Sequence, residues 1–507
     1  KITYAGGSSK VLSNALNAFV RVVGRPTKTK EVRFFMSTSR RIILSLLGPV
    51  IYLLVSMGGA SALTVKGAQA VGVSLWMVFW WVTRPVDITT TAFVPVACNA
   101  LFNIVPMGGL VSQYSNPSII LVFSSTLLTL PWAKIGLDQR VALKCLSVIG
   151  PSMRSQIIVW SIFPILFSTV LPNVVVVALF TPIAIAMLKA AGYDGKSAAA
   201  APILCAIGWC AGIGGVGTPV GGAMNVVAIA LLEKTTGHEF LFMDWVIHIA
   251  PYLIFTSITC IIGELLLPQE VKSLEGTKEY FTEAYQALGP MKRTEKISLA
   301  LFVIALIGSF LRPLYASILP GLVPAFLYAI LGFLGFFITG DDGKPLVDWD
   351  YVQKHMLWGM MILFAGGLAM GNLLGASGAN KAIAELIANH MHMPPGLPMI
   401  IAITVFAVAV SESTNSTVSA AVVVPIVITY TQRAGLPLMP YFFITAMAYN
   451  SEFLLPVSVR AITCGNGLDP NVQMKRGLPI MLIRALSVIV VGYICLQIPA
   501  FSQVGSL

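Results

Sequence analysis

Apolar residues along this chain fall in blocks rather than in alternation. Ile42–Met57, Ile157–Val170 and Ile480–Ala500 are the clearest. Runs near 20 residues match the roughly 30 Å hydrocarbon core of a bilayer at about 1.5 Å of helix rise per residue. The pattern predicts spans at about 42–60, 68–83, 87–106, 115–131, 201–232, 246–267, 296–312, 317–340, 358–375, 440–463 and 478–500. Two further stretches, about 152–191 and 395–434, are too long for one span and are broken in the middle. Each predicts two half-helices meeting at a polar tip. In lipid the backbone must satisfy its own hydrogen bonds. The expected fold is therefore an all-α polytopic membrane protein of about eleven transmembrane helices plus two re-entrant hairpins.

The longest polar stretch, 268–295, divides the chain near its centre, and the two halves repeat. FSSTLLTLPWAKIG from Phe123 answers FAGGLAMGNLLGASG from Phe364. NVVVVALFTPIAIAMLKAAG from Asn173 answers STVSAAVVVPIVITYTQRAG from Ser416, and TPVGG at Thr218–Gly222 answers LPVSV at Leu455–Val459. The anchors Phe123 and Phe364, Pro182 and Pro425, and Pro219 and Pro456 are 241, 243 and 237 residues apart. Shared hydrophobicity alone does not hold an offset so nearly constant. The copies begin five spans apart, an odd step, so they are expected to lie in opposite orientation. Inverted repeats with broken helices place substrate near the bilayer midplane.

Four polar breaks interrupt the apolar blocks. Two are hairpin tips, Leu171-Pro172-Asn173 and Ser411–Thr417; two lie inside later spans, at Gly212–Gly222 and Leu455–Arg460. Half-helix N-termini present free N–H groups and a positive dipole end to an anion. Asn, Ser and Thr add hydrogen bonds without fixed charge. The structural alternative at each break is close packing through Gly, or simple helix capping by Asn173. The pairing of the breaks between the repeats favours a binding site. Glu412, an acid within an apolar hairpin, is either functional or paired with a Lys or Arg.

Composition agrees with a membrane setting: 56% of the 507 residues are hydrophobic and 10% charged, against about 25% charged in soluble domains. Net charge is +11, and seven cations lie between Arg21 and Arg41 against one acid, Glu31. That segment predicts a cytoplasmic, headgroup-facing entry to the first span, with Val11–Val23 as an interfacial amphipathic helix. No nucleic-acid module surrounds it. The seven Cys residues show no CxxC spacing and read as small buried hydrophobes. His390 and His392 either share a metal or sit in a solvated turn. Glu412, Glu452 and Arg460 without a His or Cys partner do not make an enzyme's acid–base or nucleophilic centre.

At these breaks the chain resembles the divalent anion/sodium symporter family, the INDY-type transporters of the ion transporter superfamily, and within it the bacterial dicarboxylate exchanger branch. The resemblance runs from Pro85 onward. It rests on Asn173 and Ser416, each nine residues before a Pro (Pro182, Pro425), on Gly214-Gly215-Val216-Gly217-Thr218-Pro219, and on Leu363-Phe364-Ala365-Gly366-Gly367. The family's Ser-Asn-Thr tips are altered here to Pro172-Asn173-Val174 and Asn415-Ser416-Thr417. Its Pro-Pro-Asn after the second break is Arg460-Ala461-Ile462, and the first break keeps only Asn225.

The resemblance implies a homodimer in the plasma membrane and transport of C4–C5 dicarboxylates such as malate, succinate, fumarate or 2-oxoglutarate. It also implies scaffold helices at 41–114 and 296–357 beyond an N-terminal segment 1–40. Transport regions are expected at 115–267 and 358–507, the latter two flanking the loop 268–295 and the second scaffold portion. Expected substrate contacts are Asn173, Val174, Thr218, Gly221, Asn415, Ser416, Thr417, Ser458, Val459 and Arg460. Remnants of cation sites are expected at Ser168, Gly214, Gly215, Asn225, Ser411 and Thr414. Arg460 stands where relatives have Pro, as a fixed cation beside the substrate or as a partner of Glu452. The fixed cation predicts sodium-independent exchange with no cofactor. Sodium-coupled symport and oxyanion efflux are the alternatives.

Overall fold

A computed structural model describes residues 38–59, 63–341, 343–379, 382, 394–456 and 458–502. Most of the cationic N-terminal segment, the Val11–Val23 helix and His390 and His392 lie outside the described residues. Among the described residues the regular structure is helical, apart from isolated bridges such as Ser152 with Ser273. Of the described residues, seven helices are long and apolar enough to cross a bilayer: Thr38–Gly58, Met107–Ile135, Met153–Val170, Asn173–Ala190, Phe242–Leu266, Trp358–Ala376 and Pro470–Leu496. Shorter apolar helices fill the space between them, and the chain is a multi-pass membrane protein.

Both long apolar stretches fold as hairpins. Met153–Val170 returns as Asn173–Ala190, and Leu397–Ser413 returns as Ser416–Arg433. Two spans are unwound in the middle. Ala200–Gly214 resumes at Ala223–Thr236, and Leu438–Ala448 resumes only at Arg460–Gly465.

Elsewhere the sequence periodicity overran the helices. The span expected at 87–106 is split into Ile88–Thr91 and Val94–Phe102. The one expected at 317–340 keeps only Pro324–Leu334 as helix. There the chain folds back, with Val347 N–H donating to Gly335 O at 3.1 Å and Leu346 N–H to Ile338 O at 2.9 Å. The polar loop 268–295 contains a helix, Thr277–Ala287.

Packing brings the halves together at the breaks. The first broken helix lies against the first hairpin, and Ala223–Thr236 lies against Ser416–Arg433 and Trp358–Ala376. Pro117–Ile135 packs on Pro324–Leu334 at one side, and Thr38–Gly58 packs on Val65–Thr83. The outer face of Thr38–Gly58 exposes Ile42, Ile43, Leu46, Leu54 and Met57, an apolar surface suited to lipid. The first broken helix, by contrast, is buried along its whole first half. Unwound backbone at this depth is tolerated only where protein or a polar cavity surrounds it.

Candidate functional site

The first hairpin turns through Leu171 and Pro172. Pro fixes φ and has no N–H, so it starts a helix rather than continuing one, and Asn173 becomes the first helical residue. The unwound stretch after Gly214 wraps the end of the preceding helix. The Thr218 hydroxyl donates to Thr169 O, and Asn173 N–H donates to Gly221 O at 3.2 Å. Asn225, just inside the resumed helix, donates its amide to Gly215 O at 2.7 Å and Thr218 O at 2.8 Å. The approach is tight enough to require glycine. A Cβ on Gly221 would stand 2.4 Å from Ser168 O and 2.9 Å from Gly215 O, and one on Gly214 would stand 2.2 Å from Ile165 O. The Ser168 hydroxyl is buried without a hydrogen-bond partner among the described residues.

One polar group of this tip remains free. The Asn173 side chain makes no hydrogen bond among the described residues. It borders a small cleft lined also by Pro172, Pro219, Val220, Gly222, Ala223 and Val226, with Leu121, Val122, Ser125, Thr126, Leu357 and Met360. Val174, Thr218 and Gly221 do not line it. Ser125 and Thr126 are polar wall residues that sequence reasoning passed over, although they lie in the repeated FSST segment.

The second tip is differently furnished. Asn415 caps Ser416–Arg433, its side-chain oxygen accepting from Val418 N–H at 2.9 Å; this is the ordinary role of Asn at such a position. The Thr414 hydroxyl donates to Val410 O at 2.6 Å. Ser411 donates to Tyr449 O at 2.5 Å and accepts from Ser451 N–H at 3.2 Å. Glu412 accepts from Phe453 N–H at 2.8 Å and Leu454 N–H at 3.0 Å. It therefore holds the unwound backbone of the second break rather than a Lys or Arg side chain.

The N-terminus of Ser416–Arg433 is not open to a ligand. Ser416 donates both its N–H and its hydroxyl to Oε1 of Glu452. The other oxygen, Oε2, accepts from Arg460 Nη1 at 2.5 Å, and the two side chains are 1% and 2% exposed. Of the two readings of Arg460 that the sequence allowed, the structure has the ion pair with Glu452 rather than the uncompensated cation. An acid in unwound backbone must find donors, and the helix N-terminus and the guanidinium are within its reach.

Arg460 reaches Glu452 along the small-residue face of the first broken helix. A Cβ on Gly212 would stand 2.3 Å from its Nη2, so Gly212 serves packing. Asn450 donates to Gly212 O at 2.6 Å, and Tyr449 donates to Asn225 Oδ1 at 3.3 Å; these bonds join the two breaks.

The remaining expected contacts divide. Thr417 is half-buried and makes no hydrogen bond among the described residues. Ser458 is exposed at φ 54, a region costly for a non-glycine residue, and Val459 is buried just before the Arg460–Gly465 helix. Sequence reasoning missed Arg484 altogether. It is 1% exposed, donates to Met447 O at 3.1 Å and lies 5.9 Å from the Phe453 ring centroid. The signal available for Glu452 was the polar run Asn450-Ser451-Glu452 just ahead of the break.

Comparison with known proteins gives three findings. The family model described as citrate transporter, CitMHS, matches residues 78–459. The sodium-dependent dicarboxylate transporter SdcS of Staphylococcus aureus (strain NCTC 8325 / PS 47) is 27% identical over 494 residues, covering 93% of this chain and 94% of that protein. Its counterpart in strain MRSA252 is 28% identical over the same length. Among solved structures, the YdaH transporter of Alcanivorax borkumensis aligns with a TM-score of 0.49 and 11% identity, over 78% of this chain and 88% of its own.

Proposed function

Because the chain belongs to the citrate transporter family, CitMHS, and is a membrane transport protein rather than an enzyme, we propose that it is a secondary transporter of C4–C5 dicarboxylates. Malate, succinate, fumarate and 2-oxoglutarate are the substrate class. The observation that carries this reading is the first tip: an Asn173 side-chain amide at a helix start, without a hydrogen bond among the described residues and facing a cleft. Such a site offers hydrogen bonds and a helix N-terminus to a carboxylate without locking it in an ion pair. The similarity to SdcS, a dicarboxylate transporter by name, supports the substrate class. Binding of labelled succinate to purified protein tests it. Saturable binding that malate competes away agrees with the proposal; absence of binding contradicts it.

Net transport fits the charge arrangement better than obligatory exchange does. Exchange was expected from an unpaired cation that only a bound dianion could offset, and Arg460 is already neutralised by Glu452. Sodium coupling is the mode the first break favours. The Ser168 hydroxyl is buried and unpartnered among the described residues. Backbone carbonyls of Ser168, Thr169 and Gly215 converge on Gly221, and hard cations take oxygen ligands of this kind. Uptake with sodium replaced by choline tests it: a sharp fall agrees, and unchanged uptake contradicts it.

In this reading the two hairpins and broken helices form an inverted pair, move against a scaffold as a rigid body within a homodimer, and sit in the plasma membrane with a cytoplasmic N-terminus. The constant repeat offsets and the cationic residues ahead of the first span support that arrangement.

A further inference from the structure

Two acids stand at the second tip, and they hold different parts of it. Glu412 binds two N–H groups of the unwound segment, which accounts for it structurally. Glu452 binds the N–H and hydroxyl of Ser416, the first residue of a half-helix. Those are the donors a helix start would present to a ligand carboxylate. The repeat-related position in the first half is Asn173, where the side chain is free and faces the cleft. At both tips the first N–H of the half-helix is satisfied from within, by Gly221 O at the first and by Glu452 at the second, and only at the second is the partner a carboxylate.

We propose that Glu452 is a tethered carboxylate that occupies the second hairpin tip in place of a substrate carboxylate and, by pairing with Arg460, keeps the empty carrier electrically neutral there. This rests on the dicarboxylate-transport reading and goes beyond it, because it assigns a gating role to a residue outside the expected contacts. The neighbouring buried charges fit. Glu452 and Arg460 are paired and both almost fully buried, so within that pair the charges cancel. A carrier whose unloaded site is neutral can cross the membrane without its cargo, since no uncompensated charge enters the apolar interior. An incoming dicarboxylate must displace Glu452 from Ser416 to engage both tips, so Glu452 also sets the affinity by competition.

Three measurements on reconstituted full-length protein separate this role from a merely structural one: succinate binding, succinate counterflow, and net uptake into substrate-free vesicles. Wild type is expected to show all three. In Glu452→Gln, the competing negative charge is gone, leaving a neutral and weaker acceptor at Ser416, and Arg460 is left uncompensated. Succinate binding tightens about tenfold or more, and the ratio of net uptake to counterflow falls by a similar factor. The double variant Glu452→Gln with Arg460→Gln restores neutrality and recovers that ratio. Should Glu452→Gln fail to assemble, Glu452→Asp serves. One methylene shorter, it keeps the ion pair but releases Ser416, so binding tightens while the ratio holds. Binding no tighter in either single variant overturns the proposal, as does an unchanged ratio in Glu452→Gln. Absence of succinate binding and counterflow in wild type overturns the transport reading and this proposal together.

Discussion

At the residue scale, the site is defined by which polar groups are already satisfied. Ser411, Glu412, Thr414, Asn415 and Ser416 all have protein partners, whereas the side chains of Asn173 and Thr417 make no hydrogen bond among the described residues. A hydrogen bond to a charged group is worth about 1.5–3 kcal/mol. Asn173→Ala and Thr417→Ala should therefore weaken succinate binding roughly ten- to hundredfold with little change in thermal stability; wild-type affinity in both contradicts the assignment. Arg460→Ala belongs to a different class. It strands a buried carboxylate, at a cost of about 3–5 kcal/mol, and should show a clearly lowered unfolding midpoint in detergent. An unchanged midpoint would mean the Arg460–Glu452 pair is not the anchor described. The sequence made Asn173 legible because an Asn after Pro interrupts an apolar run. It could not show that Glu452 turns toward Ser416, since that contact joins residues 36 positions apart through a backbone path that no periodicity encodes.

At the element scale, the broken helices depend on glycine where two backbones nearly touch. Gly221 has Ser168 O where a Cβ would stand, at 2.4 Å. Gly221→Ala should push the first break off the hairpin, cost about 1–3 kcal/mol as overpacking does, and weaken succinate binding together with stability. Normal binding and normal stability in this variant would show that the break is looser than described. The hairpins themselves were legible from length alone: 40 apolar residues exceed one span, and Pro172 and the Ser411–Thr417 run mark where they turn. The unwound segments were legible as Gly and Pro clusters. The boundaries at 87–106 and 317–340 were not, because apolar sequence continues through Phe93 and Ile338 where the helix is interrupted or has ended. Hydropathy reports burial in lipid or protein and is indifferent to where a helix ends.

At the scale of the whole molecule, the account describes a transport protein whose two halves meet at paired breaks, one facing a cleft and one closed by its own carboxylate. The inverted arrangement predicts that Ser152 and Pro395, both exposed at hairpin entrances, become labelled from opposite membrane faces when replaced singly by Cys in a cysteine-depleted background. Labelling from the same face contradicts inversion. The central claim, however, is that this chain moves dicarboxylates through the site at the first tip. The most direct measurement is counterflow of labelled succinate in proteoliposomes, comparing wild type with Asn173→Ala. The account predicts rapid, malate-competed counterflow by wild type and a loss of roughly tenfold or more in the variant at low substrate. No counterflow by wild type, or equal counterflow by the two proteins at low succinate, would contradict it.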